Sequence, residues 1–354
     1  MEKIESFLHA LLSVPGLSGF EKPVSSLIAE QWHPLTDELT TSRLGNLHAL
    51  RKAAAQDARP SLMVAAHMDA IGLMVKDIQN GFLLITQVGG VDPRILPGQV
   101  VTVHGARDYP GIVQMIPDRF VSSSSAGNPP KFSSLFVDTG LSELELQRNV
   151  RIGDIISFAN PPVLFKDGYI SGHSLDNRAS VAALTVCLEE LKNYQLQWNL
   201  WCAATVQEEE HLIGATTSAF QLQPDLGIAV DVTFAKEPGL NDHRTFTLDK
   251  GPTIGIGANV HPALHRKFKE LAEEMDMPYA IEAMPQSSGT DSMAMQITAT
   301  GIPTMVIGIP IRYMHTPVEL TALADIRRAG RLLARFITGL EADSLSTLFQ
   351  EDPE

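Results

Sequence analysis

Apolar residues along this chain follow two rhythms. Near the start, Ile4, Leu8, Leu11 and Leu12 recur at helical spacing, which predicts an amphipathic helix over residues 2–12 that Pro15 and Gly16 end. Residues 22–32 predict a second helix, and strand-like runs follow at 35–41, 47–51 and 62–66. From residue 71 to about 162 the pattern changes to short strands separated by turn signals. Runs 72–78 and 82–88 flank Asn80 and Gly81, a two-residue hairpin signal. Further strands are expected at 100–104, 111–116, 135–138 and 154–158, with one short helix over 142–147. Residues 121–130, rich in Ser, Gly, Asn and Pro, read as an exposed loop.

After Asp176 the longer rhythm returns. Helices are expected at 177–194, 213–222, 263–275, 292–299 and 323–340, and strands at 199–206, 226–231, 279–283 and 304–309. This alternation implies an α/β fold in three layers, α/β/α, with a largely parallel sheet covered on both faces. The chain is long for one core. The expected organisation is a discontinuous larger domain, residues 1–69 and 163–354, with a β-rich domain inserted at 70–162.

Composition narrows the classes. A hydrophobic content of 44% is that of an ordinary globular protein, and a net charge of −14 with no basic stripe argues against a nucleic-acid binder. The acidic balance by itself is a solubility feature. Cys187 and Cys202 form no metal-type pair and sit in apolar contexts, which predicts buried free thiols and a reducing compartment. The first twelve residues lack the form of a signal peptide, and no apolar run approaches the ~20 residues that span a bilayer. The expectation is a cytoplasmic protein without membrane contact.

The chemistry lies where apolar runs end. Leu200–Ala204 runs into Glu208, Glu209 and Glu210, and adjacent carboxylates at the mouth of a core resist desolvation unless a cation sits among them. Ser61–Ala66 ends at His67 and Asp69, Leu226–Val230 at Asp231, and Thr304–Ile309 is followed by His315. The C-terminal ends of strands line the ligand crevice of an open α/β sheet. His67, Asp176, Glu209, Asp231 and His315 make a nitrogen and oxygen donor set suited to Zn²⁺, Co²⁺ or Mn²⁺. One carboxylate can bridge two such ions. Glu208 is then a spare carboxylate placed to act as a base, provided the strand has ended and the chain is turning. Asp69 is placed to accept the second ring N–H of His67. Taken singly each residue has a structural reading: a surface histidine, a turn aspartate at Asp231, a helix cap at Asp176, and a solvated patch at Glu208–Glu210.

Together these pieces resemble the di-zinc glutamyl aminopeptidase and tetrahedral aminopeptidase family, some of whose members carry a cellulase label. The matching segments are His67-Met68-Asp69-Ala70-Ile71-Gly72, Leu175-Asp176-Asn177-Arg178, Val206-Gln207-Glu208-Glu209, Val230-Asp231-Val232-Thr233, Gly289-Thr290-Asp291 and Arg312-Tyr313-Met314-His315-Thr316-Pro317. The resemblance implies a metallopeptidase-like catalytic domain with two metal ions bridged by Asp176. His67 and Asp231 would complete one site and Glu209 and His315 the other. It makes Glu208 the general base and Asp69 the orienter of His67. It also implies a β-barrel or PDZ-like dimerisation domain in the insert, and dimers built into tetrahedral dodecamers. Three positions depart from the family pattern: Ala70 replaces the usual Glu, and Glu210-His211 replaces the usual Val-Gly. Gly289-Thr290-Asp291 reads either as a helix cap or as a loop lining the site.

The function expected is a metal-dependent aminopeptidase acting on peptides. An N-acyl-amino-acid deacylase on the same scaffold and a non-catalytic metal-binding scaffold protein are the alternatives. Lys250 and Arg312 are candidates for reading acidic substrate side chains, or equally surface charges.

Overall fold

The computed structural model describes residues 2–54, 60–120 and 129–350. Most of the loop expected over 121–130 lies outside them.

Strand Ser61–His67 shows how the pattern builds the layers. Leu62, Val64 and Ala66 enter the main core, while Met63 and Ala65 enter a smaller core on the opposite face. A period of two with both faces apolar is the signature of a strand buried on both sides. Asn199–Thr205 and Leu226–Phe234 flank it in parallel and repeat the pattern. Leu200, Cys202, Ala204, Ile228 and Val230 face the main core, and Ala203 and Ala229 face the smaller one. Thr304–Arg312 continues the parallel centre beside Leu226–Phe234.

Helices Glu2–Leu12, Lys22–Trp32, Leu175–Leu191 and Leu323–Thr338 cover the main core. Leu175–Leu191 is buried almost all round, because the sheet lies on one side of it and Leu323–Thr338 on the other. Gly330 permits that close crossing: a Cβ there would stand 2.4 Å from the Ala183 carbonyl oxygen. Buried Arg178 fans its guanidinium onto the backbone carbonyls of Leu11, Val14, Gly16 and Met68, tying the first helix to the end of Ser61–His67. The smaller face is covered by Ile213–Leu222 and Asp291–Gln296. The chain is thus an α/β fold in three layers.

The sheet is mixed, which corrects the expectation of a largely parallel one. Its flanks are antiparallel: Glu38–Thr41 and Leu47–Arg51 on one side, and Glu319–Ala322, Tyr169–Gly172 and Val163–Phe165 on the other. Thr253–Gly257 adds antiparallel to Thr304–Arg312 and carries Ala280–Met284 in parallel. The four strands with no counterpart in the sequence pattern, 163–165, 169–172, 253–257 and 319–322, have three to five residues each. That is too few to display a period.

Between Gly72 and Phe158 six strands close into an antiparallel barrel: Gly72–Gln79, Phe82–Val88, Val100–His104, Asp108–Met115, Leu135–Asp138 and Ile155–Phe158. Alternate residues such as Leu73, Val75, Leu83, Ile85, Val101 and Val103 fill its core. Helix Glu143–Asn149 carries a reciprocal cap between Ser142 and Glu145. Among the described residues no helix is long and apolar enough to cross a membrane.

One buried histidine gives the fold an acid-sensitive point. His48 is 1% exposed, its Nε2 lies 2.9 Å from Ser218 Oγ, and its Nδ1 has no partner among the described residues. Burial pushes its imidazole down to about 4 from the ordinary 6.5. The unfolded chain therefore binds a proton that the folded chain refuses, so stability is complete above pH 6.5 and falls as the pH drops toward 4. The loss expected from this group is about 3 kcal/mol. Thermal midpoints measured at pH 7 and pH 4.5 should converge more in His48→Gln than in the parent, and equal falls in both proteins would contradict this.

Candidate metal centre

The parity that sends Met63 and Ala65 to the smaller face also sends His67 that way at the end of its strand, and Thr205 and Asp231 follow on the two neighbouring strands. Three adjacent parallel strands thus deliver polar side chains to one crevice. Thr205 Oγ1 donates to Asp291 Oδ2 at 2.6 Å. Thr290 makes no side-chain cap bond to the helix Asp291–Gln296, and with Gly289 it lines the crevice.

All five donors expected from the sequence meet there, with Glu208 among them. His67 Nε2 lies 3.1 Å from Asp176 Oδ1 and 3.7 Å from both Glu208 Oε2 and Asp231 Oδ1. His315 Nε2 lies 3.3 Å from Asp176 Oδ2 and 3.6 Å from Glu209 Oε1. Asp176 therefore turns one oxygen toward each imidazole. The potential ligand atoms of His67, Glu208 and Asp231 lie within 4.8 Å of one another, and so do those of Asp176, Glu209 and His315. Asp176 does not cap its helix. Its ψ of 102° is non-helical, its peptide bond to Asn177 is cis, and Ser174 occupies the cap position.

The far side of each ring is fixed by an acceptor. His315 Nδ1 donates to the Gly90 carbonyl at 3.0 Å, and His67 Nδ1 lies 3.3 Å from the Asp69 carbonyl and 3.4 Å from its Oδ1. A carbonyl oxygen only accepts, so Nδ1 of each ring carries a proton and Nε2 is the nitrogen that faces the crevice. Gly90 makes room for its ring, since a Cβ there would stand 2.9 Å from His315 Nδ1.

Asp69 does more than face His67. Its carboxylate accepts Ser18 Oγ at 2.6 Å and the backbone N–H groups of Glu208 and Glu209 at 3.0 and 3.2 Å. The strand has ended at Thr205, and Gln207 adopts φ 54°, so the chain turns here and both glutamates face one side. Gln207, His211, Leu212, Tyr313 and His315 all carry positive φ, a concentration of backbone strain around the crevice.

Sequence reasoning missed Glu319. This residue is 1% exposed, and its two oxygens accept the backbone N–H groups of Asp176 and His315 at 3.0 and 2.9 Å. It braces both residues from below. The only sequence signal is a Glu four positions after His315, inside a strand too short to be read. The departures also find places. Glu210 Oε1 accepts the Gly89 N–H at 2.9 Å and ties the glutamate turn to the barrel segment that carries Gly90. His211 is exposed and lines the crevice outside both donor groups. Ala70 is buried, with its backbone bonded to Gly16 and Ser18. His173 bonds the Ile71 carbonyl instead of joining the centre.

The electrostatics of the cluster are those of carboxylates held out of water beside two imidazoles. Burial pushes Glu208 up to about 10 and Glu209 up to about 8, and holds Asp231 well above the carboxylate range. Burial also opposes charge on Asp176, but His315 and His67 outweigh it and hold that carboxyl below its ordinary value. His67 is likewise penalised by burial, yet Glu208, Asp176, Asp69 and Asp231 keep it protonated well above 6.5. The hydrogen bond to Asp176 lifts His315 to about 9. Two imidazoles and four carboxylates without a thiolate fit hard or borderline divalent cations. Cys187 and Cys202 are buried in the main core and take no part.

The crevice has a volume of about 510 Å³, and Leu212, Phe234, Glu282, Ser288, Met293 and Met314 extend its walls beyond the donors. Lys250 and Arg312 are not in those walls. Lys250 faces a separate pocket, and Arg312 Nε donates to the Lys236 carbonyl.

Comparison with known proteins places this geometry. Residues 45–332 match the family model of the M42 glutamyl aminopeptidases. A lysyl aminopeptidase of Pyrococcus furiosus is 34% identical over 342 residues, covering 94% of this chain and 96% of that one. An aminopeptidase from the archaeon Desulfurococcus kamchatkensis superposes with a TM-score of 0.91 at 30% identity, over 100% of this chain and 99% of that one. The TET1 peptidase of Pyrococcus horikoshii, which can assemble into a tetrahedron or a large octahedral shell, superposes with a TM-score of 0.83 at 26% identity, over 96% of this chain and 100% of that one. From the family match and relatives of near-equal length, the chain belongs to the M42 glutamyl aminopeptidase family and is a peptide hydrolase.

Proposed function

We propose that this protein is a metal-dependent aminopeptidase that removes N-terminal residues from peptides, with two divalent cations, Zn²⁺ or in its place Co²⁺ or Mn²⁺. The observation that carries this reading is Asp176, whose two oxygens lie 3.1 and 3.3 Å from the Nε2 atoms of two different histidines. His67 and Asp231 would hold one cation, Glu209 and His315 the other, with Asp176 shared between them. When bound, the cation pair supplies Lewis acidity and makes water acidic enough to attack near neutral pH.

The chain's own groups supply the rest. Glu208 takes the proton from the attacking water and delivers it to the leaving amine nitrogen as the C–N bond breaks. Its place supports that role: its carboxylate lies 3.7 Å from His67 Nε2 and its backbone N–H is held by Asp69 at 3.0 Å. Asp69 positions both His67 and the turn bearing Glu208. Exopeptidase action further requires recognition of the substrate's free α-amino group at this centre.

Aminoacyl p-nitroanilides, with and without N-acetylation, test this reading on stripped protein resupplied with Zn²⁺, Co²⁺ or Mn²⁺. Cleavage of the free-amine substrates alone is expected. Preferential cleavage of acetylated ones would make the protein a deacylase, and silence on all of them would overturn the reading.

The proposal extends to assembly. We assign the insert at 70–162 to dimerisation, and the dimers to a tetrahedral dodecamer in the cytoplasm. The shells formed by the Pyrococcus horikoshii relative support this. So do Val100 and Ile112, a cross-strand pair half-exposed on the outside of the barrel. Ile112→Glu should reduce the mass measured by light scattering to that of a smaller species, and an unchanged mass would remove this face from the interface.

A further inference from the structure

Within the crevice one carboxylate is left over from the chemistry. Glu282 lies on strand Ala280–Met284, and its oxygens accept Thr233 Oγ1 at 2.7 Å and Thr253 Oγ1 at 2.6 Å. Gly308 keeps the space open, since a Cβ there would stand 3.0 Å from Glu282 Oε2. No ion pair to Glu282 occurs among the described residues, and no lysine or arginine lines the crevice. A half-buried carboxylate that is held by two hydroxyls and faces a cavity without a cation partner suits a positive charge.

Its distance from the reacting centre is set by the strand. Thr233 lies two residues beyond Asp231 on Leu226–Phe234, so both side chains project from the same face, roughly 7 Å apart. That is about the reach of a lysine's four-carbon stem. Met293 and Met314 line the same crevice and offer apolar surface to such a stem. An acidic side chain would meet the like charge of Glu282 there.

We propose that Glu282 selects a cationic side chain, lysine or arginine, on the N-terminal residue of the substrate. This assignment rests on the aminopeptidase reading and adds the substrate class to it.

The test is kcat/KM for Lys-, Arg-, Leu- and Glu-p-nitroanilide on the metal-loaded enzyme and on Glu282→Gln. In the parent, Lys and Arg should exceed Leu, and Glu should be the poorest. In the variant, Lys and Arg should fall by about 10- to 100-fold, chiefly through KM, with Leu changed less than about threefold. A parent that prefers Leu or Glu overturns the assignment even if the variant fails to fold. So does a variant in which Lys and Leu fall alike. Turnover of Leu without preference for Lys or Arg overturns Glu282 alone, whereas silence on all four substrates overturns the aminopeptidase reading beneath it.

Discussion

Glu208→Gln is expected to lower kcat by about 10²–10⁴-fold while the protein keeps its two cations. The change is nearly isosteric, and it removes one thing: the capacity of residue 208 to take up and release a proton. Glu208 is suited to that task by its place. Its backbone is fixed by Asp69 Oδ1 at 3.0 Å, its carboxylate lies 3.7 Å from His67 Nε2, and burial raises its proton affinity. KM for a free-amine substrate should move little, because no binding group is lost. The thermal midpoint should hold, because a neutral amide replaces a carboxylate that burial already disfavours in its charged form. Metal content measured beside activity decides the matter. Near-normal turnover with both cations present would remove Glu208 from the proton-transfer role.

The second large effect is expected from Asp176→Asn. Among the described residues Asp176 alone pairs closely with both imidazoles, and an amide presents only one oxygen where the carboxylate presents two. The variant should lose measurable turnover and bind fewer than two cations. It should also lose stability, since cations bound only by the folded chain stabilise it by about 4 kcal/mol when present at a thousandfold above Kd. The parent treated with a chelator and the variant treated with added metal should therefore melt close together, both below the metal-loaded parent. A variant that melts with the loaded parent and retains two cations would show that Asp176 is not shared. Its N–H is held by Glu319 whichever side chain it carries, so the fold around it should survive.

What could be read in the chain beforehand follows from where the signals are local. Ser61–His67, Asn199–Thr205 and Leu226–Phe234 announce themselves by composition, and the polar residues that end them stand out for the same reason. His67, Glu209 and Asp231 could thus be named together without knowing the fold. Asp176 was ambiguous on its own, because an aspartate ahead of a helix is also a cap. Only the backbone turn at Asp176 separates the two roles. Other contributors have no local signature. Gly90 matters through one carbonyl offered to a ring 225 positions away, and Ser18 through a hydroxyl given to Asp69. Glu319 sits in a four-residue strand that pairs with its neighbours by register alone. The mixed character of the sheet was hidden for the same reason. Edge strands such as Val163–Phe165 are short, and their direction is set by connections that periodicity does not encode.

The departures from the family pattern illustrate a further limit. Glu210 reads from sequence as one more charge in an acidic run, yet in the fold it fastens the glutamate turn to the barrel through Gly89. The barrel thereby braces the glutamate turn, and Gly90 next to that bond orients His315.

Anomalous scattering from crystals of the zinc-loaded protein is the most direct test of the central idea, that side chains from five separate segments gather around a shared pair of ions. Two peaks are predicted in the crevice, one beside His67 and Asp231, one beside Glu209 and His315, with the Asp176 carboxylate touching both. A single peak, or a pair with Asp176 turned away from either, would contradict it.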